Sequence, residues 1–417
     1  MRQRRLLSLA APLLVGAIVL SACGDDDDGG GGTNVAKGDG TFIVGTLLPE
    51  TGSLAFLGPP EVAGVKLAVK EVNDAGGVLG KPMTLVTGDS GDTSTDIANQ
   101  TVDRLLTAKA DVIVGAASSS VTLTVIDKIA AAGVVMFSPA NTSKALTTYA
   151  DKGMYFRTAP PDNLQGQVLG EIVVEDGGGS AVGILALQDP YGEGLAEDTK
   201  KSIESSGGKV VETVIYDPKA ANFDNEVDRI KRKNPKAVIV IGFDESAKVI
   251  TTMIEKGIGP DKVKVYGSDG NMGNALGDAF KSKPGALKGM RGTTPLVELS
   301  ADFQTKVKAV DPKLKDVNYA GESYDAVIIS ALAAEAAKSD LGHEIAKQIN
   351  AVTKDGEKCT TFAQCRDLIK AGKDIDYDGI SGPLDFVDAG EPGKGSYGLL
   401  EFNANNKVDT KEYRTAG

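Results

Sequence analysis

Histidine is nearly missing from this chain of 417 residues, in which His343 is the only one. A Ser-His-Asp arrangement would need it as the base, yet it falls in a polar helical stretch after Leu341-Gly342 and reads as a solvated surface residue. No glycine-rich phosphate loop is found either, because Gly192-Glu193-Gly194-Leu195-Ala196-Glu197 lacks the third glycine and no strand-linked lysine follows. No basic tract balances the acids. The net charge of −12 becomes −15 once the three arginines at the start are removed, which argues against nucleic acid or anionic lipid as a partner. Long apolar runs are absent too: the one from Leu6 to Leu20 falls short of the roughly 20 residues that cross a bilayer. These gaps leave a hydrolase as a remote alternative, give no cofactor a motif, and favour binding over catalysis.

What the short apolar run does offer is an export signal. Arg2, Arg4 and Arg5 precede it, and it ends at Leu20-Ser21-Ala22-Cys23, followed at once by Asp25 to Asp28. The Leu-Ser-Ala-Cys ending resembles the lipobox of bacterial lipoproteins, in which the cysteine takes a diacylglycerol and becomes the first residue. The resemblance implies an extracytoplasmic protein anchored through Cys23, with two acyl chains where one would hold only marginally. The segment from Asp25 to Gly40, acidic and then glycine-rich, reads as a flexible tether, with its four aspartates as solvated spacer.

Cys359 and Cys365 are the remaining cysteines, with five residues between them. In an exported protein this pair favours a local disulfide over a metal site, worth at most about 2–3 kcal/mol because the loop is short. Asp374-Ile375-Asp376-Tyr377-Asp378-Gly379 with Asp385 imitates a calcium loop. Ser381 and Pro383 at its later positions, an aspartate in place of the final glutamate and the lack of flanking helices argue against it, so no metal is expected.

From Thr41 onward short β-rich runs alternate with segments of helical period. Strands are predicted at 42–45, 83–86, 112–115, 134–137, 182–185, 210–215, 238–241 and 263–266. The first helix places Val62, Val65, Val69 and Val72 on one face, with Glu61, Lys66, Lys70 and Glu71 elsewhere. After residue 295 the chain turns helical, with Tyr324, Val327, Ile328, Ala331 and Leu332 at helical spacing within 319–338. Such alternation builds parallel sheets covered by helices, an α/β fold. The strands form two groups, joined near Ala159-Pro160-Pro161-Asp162, so two Rossmann-like lobes enclose a cleft with ligands at the strands' carboxyl ends.

Seven stretches at those strand ends carry a resemblance: Thr51-Gly52, Gly64 to Val69, Asn73 to Gly80, Gly115 to Ser120, Ser138 to Thr142, Tyr191 to Gly194 and Gly267 to Gly270. In this order they resemble the leucine/isoleucine/valine-binding protein family, the substrate-binding lipoproteins of ABC importers with the type I periplasmic-binding fold. The resemblance implies three hinge crossings. The expected division is a signal peptide at 1–22, a lipidated tether at 23–40, lobe one at 41–158 plus 295–380, and lobe two at 159–294 plus 381–417.

By resemblance, Ser119 and Thr142 receive a ligand carboxylate, the Ala140 carbonyl and Asp269 hold an ammonium, and Tyr191 covers the ligand from lobe two, with Leu57, Ser118 and Phe243 as further candidates. Asp269 stands where the branched-chain binders carry glutamate and Phe243 where they carry tyrosine. The missing methylene withdraws the carboxylate by about 1.5 Å, so a related amino acid, an amide or a small carboxylic acid remains open. The expected function is capture of such a ligand by hinge closure and delivery to an ABC permease, by a monomer tethered through its lipid. The alternative is a sensor that signals instead of delivering.

Overall fold

The structure is a computed structural model that describes residues 38–417 except residue 383. The leader, Cys23 and most of the tether lie outside the described residues. The first sheet is built from β1 (Ile43–Leu47), β2 (Thr84–Val86), β3 (Val112–Gly115), β4 (Val135–Ser138) and β5 (Tyr155–Arg157). All are parallel, in the order β2-β1-β3-β4-β5. Between them run α1 (Gly58–Asp74), α2 (Ile97–Thr107) and α3 (Ser119–Ala131).

Past Pro160-Pro161 the chain enters a second sheet through α4 (Asp162–Glu175). Here β6 (Val182–Leu187), β7 (Val210–Tyr216), β8 (Ala237–Ile241), β9 (Lys264–Gly267) and β10 (Arg291–Pro295) alternate with α5 (Pro190–Ser205), α6 (Asp224–Lys231), α7 (Ser246–Glu255) and α8 (Asn274–Ala279). The parallel part runs β7-β6-β8-β9-β10, the same winding as the first sheet. In each sheet the order reverses between two neighbouring strands, β1 and β3 or β6 and β8, and such a switch point opens a crevice at the strands' carboxyl ends.

The chain then returns to the first lobe with α9 (Ala301–Val310), α10 (Ala320–Ala337), α11 (Gly342–Ile349) and α12 (Phe362–Lys370), and with the short parallel pair β11 (Glu357–Cys359) and β12 (Ile375–Tyr377). A third crossing leads to β13 (Gly395–Phe402) and β14 (Val408–Ala416), which extend the second sheet antiparallel beyond β10. Cys359 and Cys365 form a disulfide that ties β11 to α12, with Cα atoms 5.4 Å apart. No helix among the described residues is long and apolar enough to cross a membrane.

Two expectations need correcting. The region after 295 is not simply helical, since it holds β11 to β14; the last two strands alternate too weakly to stand out, and β14 is largely exposed. Glu61, placed on the polar side of α1, is buried completely. The reason lies in how closely α1 and α10 pack. A Cβ on Gly64 would sit 2.2 Å from the Ala320 carbonyl oxygen, so the helices meet backbone to backbone and shield each other's first turns. Helix α10 is correspondingly buried on almost every side, Glu322, Asp325 and Ser330 included.

Neither Glu61 oxygen has a hydrogen-bond partner. Burial, then the charge of Glu322, raises the Glu61 pKa well above that of an ordinary carboxyl. Burial also pushes Glu322 up to about 8, with Asp325 adding to it. The folded state therefore holds a proton that the unfolded chain releases near pH 4.5. Stability from this group is complete below that pH and drains away as pH rises towards 8. Glu322→Gln is expected to flatten the decline in urea-unfolding free energy across this window, where the slope is at most about 1.4 kcal/mol per pH unit. An unchanged pH profile in that variant refutes the assignment.

Candidate functional site

The loops leaving β1, β3 and β4 form the first wall of the cleft. Leu57 immediately precedes α1 and is buried, and with Leu54 it joins the apolar cluster of the second lobe. Ser118 caps α3 by accepting the Val121 amide at 3.4 Å, and Ser119 is the helix's first residue. The Ser119 hydroxyl accepts the Ser143 amide at 3.3 Å. Ala140 and Thr142 follow β4, both buried. Asn141 between them fastens the two loops together. Its amide donates to the carbonyls of Ala116 and Ala117 (3.0 and 2.8 Å) and accepts from the hydroxyls of Thr122 and Tyr155 (2.7 and 3.0 Å).

The second wall comes from the loops after β6, β8 and β9. Asp189 caps α5 by accepting the Tyr191 amide at 2.7 Å, which sets Tyr191 in the first turn. The Tyr191 ring stacks on Phe243, with centroids 5.5 Å apart and planes 10° apart. Its hydroxyl donates to Asp269 Oδ1 at 2.8 Å, accepts the Gly270 amide at 3.3 Å, and lies 2.7 Å from Ser268 Oγ. Asn271 holds this loop as Asn141 holds the other: it accepts the Ser268 amide (3.0 Å) and donates to the Val240 carbonyl (2.9 Å) and to Ser246 Oγ (3.0 Å).

Asp269 joins the walls. Tyr319, at the entrance to α10 in the first lobe, donates to Asp269 Oδ2 at 2.8 Å, so the carboxylate receives a phenol from each lobe. Burial raises the Asp269 pKa, and the donors Tyr191, Tyr319 and Gln165 partly offset it. Burial, then the charge of Asp269, raises both tyrosines, which keeps them protonated as donors. Further contacts hold the lobes together: Ser120 bonds Asp189, Ser143 Oγ donates to the Pro190 carbonyl at 3.0 Å, and Lys144 pairs with Glu197 and Asp198 at 2.9 and 3.1 Å. At the mouth a cavity of about 210 Å³ separates Gly52, Ser53 and Phe56 from Phe243, Gly270 and Leu276.

Ser119, Ala140, Thr142, Tyr191, Phe243 and Asp269 thus all sit at carboxyl ends of strands in two facing sheets, with Leu57 across the same seam. Sequence reasoning missed Tyr319, read only as the start of a helix, and the buried Asp162, Gln165 and Tyr397, whose spacing carries no signal. His343 is about half exposed and lies 3.1 Å from Glu344. In the calcium-like stretch, Asp376 pairs with Lys358 at 2.8 Å. No group of three or more potential metal ligands gathers among the described residues.

The sequence profile described as "Periplasmic binding protein" matches residues 41–406. The chain is 27% identical to the chemotactic signal transduction system substrate-binding protein BasB of Halobacterium salinarum, over 90% of either chain. It is 28% identical to Leu/Ile/Val-binding protein homolog 1 of Brucella abortus, over 73% of this chain and 81% of that one. In three dimensions it resembles the branched-chain amino acid transporter substrate-binding protein LivJ of Streptococcus pneumoniae, solved with isoleucine (TM-score 0.74, 23% identity, 90% of this chain and 99% of that one). It also resembles an ABC transporter solute-binding protein of R. palustris solved with benzoate (TM-score 0.67, 21% identity, 90% and 96%).

Behind Thr142 the loop is braced by Arg157, which donates to the carbonyls of Asn141 and Ser143 (3.2 and 2.9 Å) and pairs with Glu391 at 2.5 Å. Glu391→Ala would leave this guanidinium buried and unpaired, and is expected to cost about 3–5 kcal/mol in urea unfolding. A loss below about 1 kcal/mol would show that the pair carries little.

Proposed function

The chain belongs to the periplasmic binding protein family, and from that premise we propose that it captures a branched-chain or related amino acid outside the cytoplasm and delivers it to an ABC permease. The family is one of solute-binding proteins and not of enzymes. The observation that carries the reading is Asp269, a buried carboxylate that receives Tyr191 from its own lobe and Tyr319 from the other. A charge-assisted acceptor at the seam of two strand-end crevices suits the ammonium of a small zwitterion. Ser119, Thr142 and the amides at the start of α3 suit its carboxylate. Leu54, Leu57 and Phe243 supply apolar surface for its side chain.

Closure is the working motion. A ligand seated against Ser119 and Thr142 gains Tyr191 and Asp269 only when the lobes meet, so it favours the closed state by its differential affinity. Micromolar binding corresponds to about 8 kcal/mol, enough to bias a hinge strongly when most of it depends on closure. The similarity to BasB favours a second reading, in which the closed form reports to a signalling partner. Uptake of the ligand that requires the chain and a permease separates delivery from sensing.

Two measurements test the proposal. In a calorimetric panel of amino acids, amides and aromatic acids on the purified full chain, Asp269→Ala is expected to lose any amine-bearing ligand by at least about 100-fold while its melting curve stays cooperative. Unchanged affinity would sink the assignment of Asp269. The anchor we propose, a diacylglycerol on Cys23, predicts that Cys23→Ser moves the protein from the membrane to the soluble fraction. Retention of that variant on the membrane would rule the anchor out.

A further inference from the structure

Helix α10 begins where the three crossings between the lobes meet. The Thr158 hydroxyl, just before the first crossing, donates to the Glu322 carbonyl at 2.9 Å. A Cβ on Gly321 would stand 3.3 Å from Leu299 of the second crossing and 3.4 Å from Ile380 of the third. Tyr319, one residue before the helix, reaches Asp269 of the second lobe at 2.8 Å. Hinges absorb their backbone changes in a few such connecting residues, so parting of the lobes shifts the cover of this first helical turn. The turn also holds polar groups whose needs are unmet. The Ser323 hydroxyl is buried without a partner, and so are both oxygens of Glu61, which faces the turn from α1. Buried polar atoms in that condition are few in native proteins.

Glu322 is 5% exposed, whereas Glu61 is not exposed at all. The charged neighbours of this pair are acids or are engaged elsewhere. Asp325, on the same helix, accepts four hydrogen bonds from Tyr377, Ile380 and Ser381. Glu71 of α1 is held by Tyr324 and Lys306, and Arg157, next to Thr158, is held by Glu391 and its other acceptors. The charge of Glu322 also acts on the Tyr319 phenol, so this carboxyl lies within electrostatic reach of the bond that spans the lobes. Two carboxyls enclosed together without a cation do not both ionise readily.

We propose that Glu322 is a proton-binding site coupled to the hinge: the closed lobes hold a proton on its carboxyl, and the open lobes release it. The inference rests on the closing motion proposed above and is independent of the ligand's identity. Glu61 is enclosed by α1 and α10 of one lobe and stays covered and protonated throughout. The cover of Glu322 comes instead from the crossings and Tyr319, and its opening admits water to a carboxylate that the N-terminal dipole of α10 also favours. In the closed state burial holds the Glu322 pKa at about 8, and hydration returns it towards that of an ordinary carboxyl. Closure is therefore favoured in full at low pH, loses ground as pH rises, and changes no further above about 8. One proton alters the ratio of closed to open chains by at most about tenfold per pH unit. By reciprocity, closing around a ligand takes up that proton.

The test is small-angle X-ray scattering of the full chain without ligand, from about pH 5 to about pH 9, on the wild type and on Glu322→Gln, Glu322→Ala and Glu61→Gln. The wild type is expected to expand as pH rises. Burial raises Asp162 and Asp269 at the seam as well, so the contribution of Glu322 is read as a difference between chains. Both Glu322 variants are expected to lose up to about one proton from the slope of the closed-to-open ratio against pH, and Glu61→Gln to keep the wild-type slope. Equal slopes in the wild type and either folded Glu322 variant overturn the proposal, as does a wild type whose dimensions ignore pH. Loss of the response in Glu61→Gln alone overturns the assignment to Glu322. Calorimetry with leucine in phosphate and Tris buffers gives a second reading, in which Glu322→Gln is expected to take up fewer protons per leucine bound, and equal uptake overturns the coupling. Scattering needs no ligand, so a wild type that ignores leucine but closes as pH falls, through Glu322, upholds the coupling and counts only against the functional reading.

Discussion

Arg157 ends β5 with no exposure to solvent, and each of its five N–H groups has an acceptor. Two reach Glu391, one reaches Thr147, and two reach the carbonyls of Asn141 and Ser143. A guanidinium so buried is tolerable only while all of these partners stay in place. The constraint therefore spreads. Glu391 belongs to the third crossing between the lobes and Arg157 stands just before the first, so one ion pair clasps two of the three connections. The two carbonyls flank Thr142, so the same clasp sets the loop that faces Tyr191 and Asp269. Hinge and cleft wall are in this way parts of one polar cluster.

The two lobes solve the same problem with the same devices. Each sheet winds outward from a central strand, β1 or β6, and leaves its crevice open at the strands' carboxyl ends. Each crevice needs loops rigid enough to hold a ligand but free of regular backbone pairing. In both, a buried asparagine takes the place of that pairing. Asn141 accepts hydroxyls and donates to carbonyls of the neighbouring loop, and Asn271 accepts an amide and donates to a carbonyl and a hydroxyl. An amide side chain offers donors and acceptors at once, which is what a loop with unmet carbonyls and amides requires. Gly115 shows how tight the framework is: with φ +134°, a Cβ there would stand 2.1 Å from the Leu47 carbonyl oxygen, at the switch point itself.

The strands that flank these switch points were legible because they are buried on both faces and therefore read as continuous apolar runs, Val112-Ile113-Val114 and Val238-Ile239-Val240-Ile241 among them. Periodicity did not reveal β5, three residues that end on the charged Arg157, or β10, which begins on Arg291 and ends on a proline, or β13 and β14, whose place in the sheet depends on pairing beyond β10. It also misplaced Glu61, since a helical face is judged polar by residue type and only the close packing of α10 reveals that this acid is enclosed. Among the residues that line the seam between the lobes, those on glycine- and serine-rich loops after strands could be picked out. Asp162 and Tyr319 could not, because an acid in a first turn and an aromatic before a helix are ordinary in isolation, and their meaning comes from what the other lobe brings near them.

Contacts of the lobes with each other favour closure. Tyr319 donates to Asp269 across the seam, Ser143 to the Pro190 carbonyl, and Lys144 pairs with Glu197 and Asp198. The exposed ion pairs contribute little in water, whereas the buried phenol–carboxylate bond is worth more because solvent is excluded. A hinge assisted in this way needs less differential affinity from its ligand, so a weakly held solute can still shift it. The counterweight is Asp269 itself, which loses hydration as the lobes meet and receives only neutral donors in return. Closure without a cation thus leaves a buried charge partly compensated, and closure around an ammonium does not. In the proposed reading, that difference, set by one carboxylate between two tyrosines, is what would make the motion answer to an amine-bearing ligand.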